Sequence, residues 1–351
     1  MHNRCFILPP HICDAIDEHS TDETLRERCQ EAAEHLHRAE DGCRPHESAK
    51  GSTQKIVADS DADHAVSRSV YHGLHEDDLP GDPVRSEGDE AGTNRRADEA
   101  YDGAGTVYDF YLEVFDRHSI DGEGMSIVQT VHHRRNYMNA YWNGEQMVYG
   151  DGDGTVFIGF SHSLTVIGHE LSHGVVQTSG GLEYENQSGA LNESWADIFG
   201  VLCEQRSLGH AAGDATWLVG HDIFGDDINA VALRSLQEPG SAYDDPHLGK
   251  DPQVSHMDDY VTKAASDDNG GVHTNSGIPN HAFYRFAVEL GGRAWETPGL
   301  VWYDALHAVD DSNADFERWA DVTRECATRL YGSGSRELQA LETAWRAVGL
   351  G

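Results

Sequence analysis

Apolar residues along this chain follow two periods. In the first 48 residues Ile12, Ile16, Leu25, Cys29 and Leu36 recur at roughly helical spacing among many charges, which predicts helix in a piece of its own. ESAKGSTQ (47–54) reads as a linker. Residues 76–99 are polar, rich in Gly, Pro and acid, and predict a loop. ADEAYDGAGTVYDFYLEVF (97–115) restores a helical stripe through Tyr101, Val107, Phe110, Tyr111 and Val114. Alternation in SIVQTVHH (126–133) and QMVYG (146–150) predicts short strands. Beyond 165 the pattern is mostly helical. It ends in SRELQALETAWRAVG (335–349), with Leu338, Leu341, Trp345 and Val348 on one face. No internal repeat is present.

At 351 residues the chain can bury a large core, with about two domains expected. No apolar window is long enough to span a membrane. MHNRCFILPPHICDAIDEHS has one basic residue and a short apolar patch broken by Pro9 and Pro10, unlike a secretory signal. Synthesis in the cytoplasm is expected, with export by a non-classical route left open. Lys and Arg total 25 against 61 Asp and Glu, a net charge of −36. Such a surface repels nucleic acid and anionic membranes, so neither is expected as a partner. The acid is spread along the chain rather than held in one tail, which favours a salt-adapted surface over a docking site for a basic partner. Nothing in the pattern fixes an oligomeric state. Cys5, Cys13, Cys29, Cys43, Cys203 and Cys326 form no C-x-x-C pair, so a zinc ribbon is not expected and a disulfide framework is weakly supported. GDGDG (150–154) is read as a turn, because Val156 and His162 stand where an EF-hand needs Gly and Glu.

VIGHELSHGVVQ (166–177) puts His169 and His173 four apart, hence on one helical face, with Ile167, Leu171 and Val175 packing beside them. Glu170 projects next to the space between the histidines, which suits a base acting on water activated by a metal. With 22 histidines in the chain the string alone decides little, and catalytic zinc needs a third protein ligand. GALNESWADIFGVLCEQ (189–205) holds Glu193 and Asp197 four apart inside an apolar run of Leu191, Trp195, Ile198, Phe199 and Leu202. Bare carboxylates are costly to bury there, so they either face solvent or bind something positive. Glu193 as a ligand, with Asp197 bonded to a ligand histidine, accounts for both.

HELSH followed by NESWAD resembles the thermolysin-like neutral metallopeptidases. The likeness continues through NAYW (139–142), GEQMVYGDGDG (144–154), ALRSL (232–236), DNGGVHTNSGIPNHAFY (268–284) and GSGSRELQALETAWRAVG (332–349), in consistent order over roughly 98–351. CFILPP (5–10) resembles the start of the short precursor segment of the protealysin type.

The resemblance implies an α+β, two-lobed zincin: a propeptide-like segment over 1–48, a β-rich catalytic lobe over 49–177 ending in the zinc helix, and an α-helical lobe over 178–351, with the cleft between. It implies zinc on His169, His173 and Glu193, and Glu170 as general base. His273 and Tyr184 match oxyanion donors, Asp268 the carboxylate orienting His273, and Asp197 the partner of His169. Asn139, the Ala140 backbone and Arg234 match positions binding a protein or peptide substrate. Phe157, Val166, Val219 and Leu233 match an apolar pocket, hence cleavage before a bulky apolar residue.

The family's paired calcium site is expected to be lost, because Thr165, Leu218 and His221 replace acids, although Glu204 remains. Cys5 is read as a thiolate that blocks the zinc in the precursor. Two rivals stand beside this: a catalytically idle binding or inhibitory protein, which the intact Glu170, His273 and ligand set oppose, and a zinc hydrolase of non-peptide substrates, which NAYW opposes.

Overall fold

Strands form where alternation predicts them, and they assemble into one mixed sheet. The computed structural model describes residues 5–19, 23, 25, 26, 29 and 66–351. β1 (Cys5–Phe6), β2 (Arg68–His72), β3 (Asp82–Ser86), β4 (Ile127–Val131), β5 (Ala140–Trp142) and β6 (Met147–Tyr149) lie in the order β1-β5-β6-β4-β2-β3. β4 runs parallel to both β2 and β6, while β5 pairs antiparallel with β6. The long helix α2 (Arg95–Phe115) packs on the sheet and buries Tyr101, Val107, Phe110 and Tyr111. Its N-terminus is capped by Asn94, whose side chain accepts the Ala97 N–H.

The expected loop over 76–99 contains β3, and α2 already begins at Arg95. β3 is an edge strand with almost every residue exposed, so no apolar alternation marks it. Pro83 sits where the pairing with β2 slips between Val70 and Tyr71, a position that tolerates proline.

The N-terminal piece does not stand apart. β1 is hydrogen-bonded to β5, and Ile12 and Ile16 of α1 (Pro10–His19), with Leu25 and Cys29, are buried in the same apolar core as the sheet. Leu36, Cys43 and the linker at 47–54 lie outside the described residues.

From residue 164 the chain is mainly helical: α3 (Leu164–Thr178), α4 (Asn186–Leu208), α5 (Asp268–Asn275), α6 (Gly277–Leu290), α7 (Thr297–Ala308), α8 (Phe316–Tyr331) and α9 (Arg336–Ala347). Two short two-stranded ladders and a 3-10 turn separate α4 from α5: β7 (Leu218–Val219) pairs with β8 (Arg234–Ser235), and β9 (Asp244–Asp245) pairs with β10 (Gly249–Lys250). The predicted last helix docks through Leu341 and Trp345; Trp345 stacks on Trp302 at 5.6 Å and donates its ring N–H to Thr323. No described helix is long and apolar enough to cross a membrane.

The pairing that positions the chemistry is α3 against α4. Gly168 and Gly200 meet at this crossing. A β-carbon on Gly168 would lie 2.8 Å from the Gly200 Cα, and one on Gly200 would lie 2.5 Å from the Thr165 carbonyl oxygen. Both contacts are backbone, so neither can yield without separating the helices. Gly200→Ala is therefore expected to destabilise the fold by about 1–3 kcal/mol and to lower the zinc content of the purified protein. A thermal melt and metal analysis check this; unchanged values in both would show that the helices tolerate a wider spacing.

Candidate metal centre and cleft

One turn of α3 presents His169 and His173, with their Nε2 atoms 3.0 Å apart. Glu193 enters from α4, one carboxylate oxygen 3.6 Å from His169 Nε2 and the other 3.3 Å from His173 Nε2. All three side chains are buried. The second nitrogen of each ring faces an acceptor: His169 Nδ1 lies 2.8 Å from Asp197 Oδ1, and His173 Nδ1 lies 2.8 Å from Asn192 Oδ1. Asn192 is itself fixed, donating to the Leu182 carbonyl. These acceptors hold the protons on Nδ1, so both Nε2 lone pairs point inward. Burial pushes the His169 pKa down to about 4, which favours the neutral ring that binds metal. Burial alone would raise the pKa of Glu193, but His273 and His173 hold it well below the usual carboxylate range. Its Oε2 has no hydrogen-bond partner. Three electron-pair donors within 4.8 Å of one another in a dry site repel unless a cation lies between them. Two imidazoles and one carboxylate, each anchored from behind, fit zinc.

Asp197 does more than the sequence indicated. Besides its close contact with His169 it accepts from Arg234, through Nε at 2.9 and 3.0 Å and Nη2 at 2.8 Å, and from Asn280 Nδ2 at 2.9 Å. Burial opposes its ionisation, yet Arg234 and His169 hold its pKa at about 2. Arg234 is buried too and stays charged, because Asp197 outweighs its desolvation.

Glu170 is fully buried with one oxygen accepting the Trp142 N–H at 2.8 Å and Oε1 without a partner. Burial pushes its carboxyl well above the usual range.

His273 Nδ1 lies 2.5 Å from Asp268 Oδ1, and its backbone N–H donates to Oδ2 of the same carboxylate. Burial opposes the imidazolium, but Glu193 and Asp268 raise the His273 pKa above its ordinary value. Asp268 can fold back on His273 because four consecutive residues, Asp268 to Gly271, take positive φ (53, 47, 85 and 88°). Gly270 is required there, since a β-carbon would sit 2.3 Å from Asn186 Oδ1. Tyr184 donates its hydroxyl to Glu193.

The cleft carries a strand of this same chain. β1 pairs antiparallel with β5, Cys5 opposite Trp142 and Phe6 opposite Tyr141. The Ile7 N–H donates to the Ala140 carbonyl at 3.1 Å, and Arg234 Nη1 donates to the Ile7 carbonyl at 2.9 Å. The Leu8 N–H donates to Asn139 Oδ1 at 3.1 Å, and His273 Nε2 lies 3.2 Å from the Phe6 carbonyl oxygen. Cys5 is buried against Tyr184 and Val272 and faces Glu193 and Glu170; burial and these two carboxylates push its thiol pKa up. Its sulfur is not among the three converging donors.

Every site residue expected from sequence thus lies in one region. Phe157, Val166, Val219 and Leu233 are all buried. At one position expected to have lost a calcium ligand, Thr165 accepts the Gly220 N–H; the remaining acid, Glu204, contacts His221 at 3.0 Å and Thr216 at 3.4 Å. Sequence reasoning missed Asn192, Asn280 and the Trp142 N–H. Asn192 carried a signal, a polar residue inside an apolar helical run beside Glu193; a backbone donor carries none.

Asp197→Asn removes the charge that Arg234 needs and weakens the anchor of His169. It should cost about 3–5 kcal/mol in a urea melt and about 10–100-fold in zinc affinity by chelator competition. A variant with wild-type zinc affinity would separate Asp197 from the metal.

Comparison with known proteins gives a consistent result. A family described as thermolysin metallopeptidase, catalytic domain, matches residues 41–177, and its α-helical domain matches 180–350. An extracellular metalloprotease of Pectobacterium carotovorum is 41% identical over 347 residues, 99% of this chain and 96% of that protein. A thermolysin of Alicyclobacillus acidocaldarius is 39% identical over 80% of this chain, which spans about half of that protein (50%). Among solved structures, the precursor of protealysin from Serratia proteamaculans superposes with a TM-score of 0.87 at 40% identity, covering 99% of this chain and 100% of the other.

Proposed function

The chain belongs to the thermolysin family of metallopeptidases, and from that premise we propose how its residues cut peptides and how its first residues prevent it. The protein is a metalloendopeptidase with protein or peptide substrates. His169, His173 and Glu193 would hold zinc, which would supply Lewis-acid polarisation of the scissile carbonyl and activation of water. Glu170 is the general base. Its unpartnered Oε1 takes the proton of the attacking water and delivers it to the departing nitrogen, while the Trp142 N–H holds the other oxygen in place. His273, kept charged by Asp268, and the Tyr184 hydroxyl stabilise negative charge as it develops on the carbonyl oxygen. Asn139, the Ala140 carbonyl and Arg234 align the substrate backbone along β5 by strand addition.

The observation that carries this reading is the strand already there. Ile7 gives its N–H to Ala140 and its carbonyl to Arg234, as the residue after a scissile bond would, and the Phe6 carbonyl meets His273. The N-terminal segment holds the enzyme as a precursor by lying in the cleft. Ile7 is bulky, apolar and buried at that position, which supports cleavage before such residues. Cys5, facing Glu193 and Glu170 beside the metal centre, adds a thiolate to the block once zinc supplies the positive charge. The pairing of Glu204 with His221 supports the loss of the paired calcium site. The name of the Pectobacterium relative supports an extracellular site of action, and the net charge of −36 supports activity at high salt.

Casein digestion at high salt, wild type beside Glu170→Gln with zinc measured in both, tests the mechanism. The variant should keep its zinc and lose activity by about 10²–10⁴-fold. A processed wild type that binds zinc and cuts nothing would instead favour a binding protein. Cys5→Ala is expected to shed the N-terminal segment faster, followed by mass spectrometry of fresh protein; an unchanged rate would remove the thiolate from the block.

A further inference from the structure

A second cluster of metal-binding side chains lies away from the cleft. β2, β4 and β6 lie side by side and parallel, so their C-terminal ends emerge at one edge of the sheet. Open sheets tend to place ligand sites beyond such strand ends. Here the three chain segments deliver His75 after β2, His132 directly after β4, and Asp151 just after β6. His132 Nδ1 lies 2.8 Å from Asp151 Oδ2, and His75 Nδ1 lies 3.8 Å from the same oxygen. One donor atom from each of the three residues lies within 4.8 Å of the others.

The hydrogen bonds around His132 give the cluster a direction. Its Nε2 faces Asn94 Oδ1 at 3.1 Å, an amide oxygen that can only accept. The same oxygen takes the Ala97 N–H, which confirms it as the oxygen end of the amide. Nε2 therefore carries the proton. In the neutral ring Nδ1 then presents a lone pair to the Asp151 carboxylate at 2.8 Å. Two acceptors at that distance need a positive species between them, a proton or a metal ion. An outer hydrogen bond that fixes the tautomer and aims the free nitrogen is the arrangement found behind metal-binding histidines.

The backbone holds these rings where they are. His75 and His132 both take left-handed φ, 60 and 56°, uncommon for non-glycine residues. The His75 N–H donates to the His132 carbonyl at 2.9 Å, locking the two turns together. His72 packs on His132 with ring centroids 4.3 Å apart. It is not a donor of the set, because its Nδ1 accepts the Leu74 N–H.

We propose that His75, His132 and Asp151 form a second metal site, selective for zinc-like first-row divalent cations, which ties the ends of β2, β4 and β6 together. Two imidazoles and a single carboxylate suit such ions, whereas calcium needs six or more oxygens. Tetrahedral zinc sets its ligands about 3.3 Å apart, so the His132–Asp151 contact opens slightly and His75 closes in, its ring proton moving from Nδ1, which faces the Arg134 carbonyl at 3.3 Å, to Nε2. The three side chains are only partly buried, which leaves room for water as the fourth ligand.

The test uses the full chain, loaded with zinc, desalted and analysed for metal, with a zinc-dependent thermal melt alongside. Variants are His75→Asn and Asp151→Asn. Asparagine tolerates the left-handed backbone at 75, and His75 is the more exposed histidine of the pair. Wild type should hold two zinc ions per chain and each folded variant one. Added zinc should raise the melting temperature of the desalted wild type but not of the variants. A zinc count that is the same in wild type and in both folded variants overturns the second site and assigns a proton to the His132–Asp151 contact. Because the count is read without activity, it stands apart from the catalytic assignment.

Discussion

Asp197 is a carboxylate out of reach of water on which three other elements end. It receives His169 from α3, Arg234 from β8 and Asn280 from α6, and it belongs to the helix that carries Glu193. An unpaired charge at this depth would cost several kcal/mol, so the position is tolerable only with its cations and donors in place. The same contacts set two functions at once. Toward α3, Asp197 fixes which nitrogen of His169 is free for metal; toward β8, it holds the Arg234 fork so that Nη1 remains for a peptide carbonyl. The candidate metal centre and the groove that holds β1 are thus registered to each other through one side chain.

That registration depends on how closely two helices approach. Gly168 and Gly200 let α3 and α4 touch through backbone, bringing Glu193 within 3.3–3.6 Å of both histidines. The sheet contributes on the other side. β5 would be an edge strand without β1, and its carbonyls and the Trp142 N–H serve two purposes, one directed at an extended chain and one at Glu170. An exposed strand edge is a hazard for most proteins. Here the edge is covered by the chain's own first residues.

The arrangement of the candidate site was legible in the sequence where its parts are local. A helical turn fixes the His169–His173 spacing, and a second turn fixes Glu193 and Asp197, so both pairs could be read as faces before any fold was known. The exposed strand β3 was not legible, since nothing on it alternates. Nor was the dual role of Arg234, which pairs with Asp197 and also binds the Ile7 carbonyl. The family resemblance pointed only to peptide binding; the structure adds a buried ion pair and leaves one nitrogen on the Ile7 carbonyl.

Residue identity and short-range spacing therefore determined which donors share a helical face and the kind of ion such a set fits, since these follow from helical periodicity and the affinities of imidazole and carboxylate for zinc. The meeting of residues far apart in the chain was decided only by tertiary structure. Ile7 and Arg234 are 227 positions apart, and Asp197 and Asn280 are 83 apart. No local period encodes such contacts; they arise because burying the apolar faces of helices and sheet in one core leaves those polar groups no other partners.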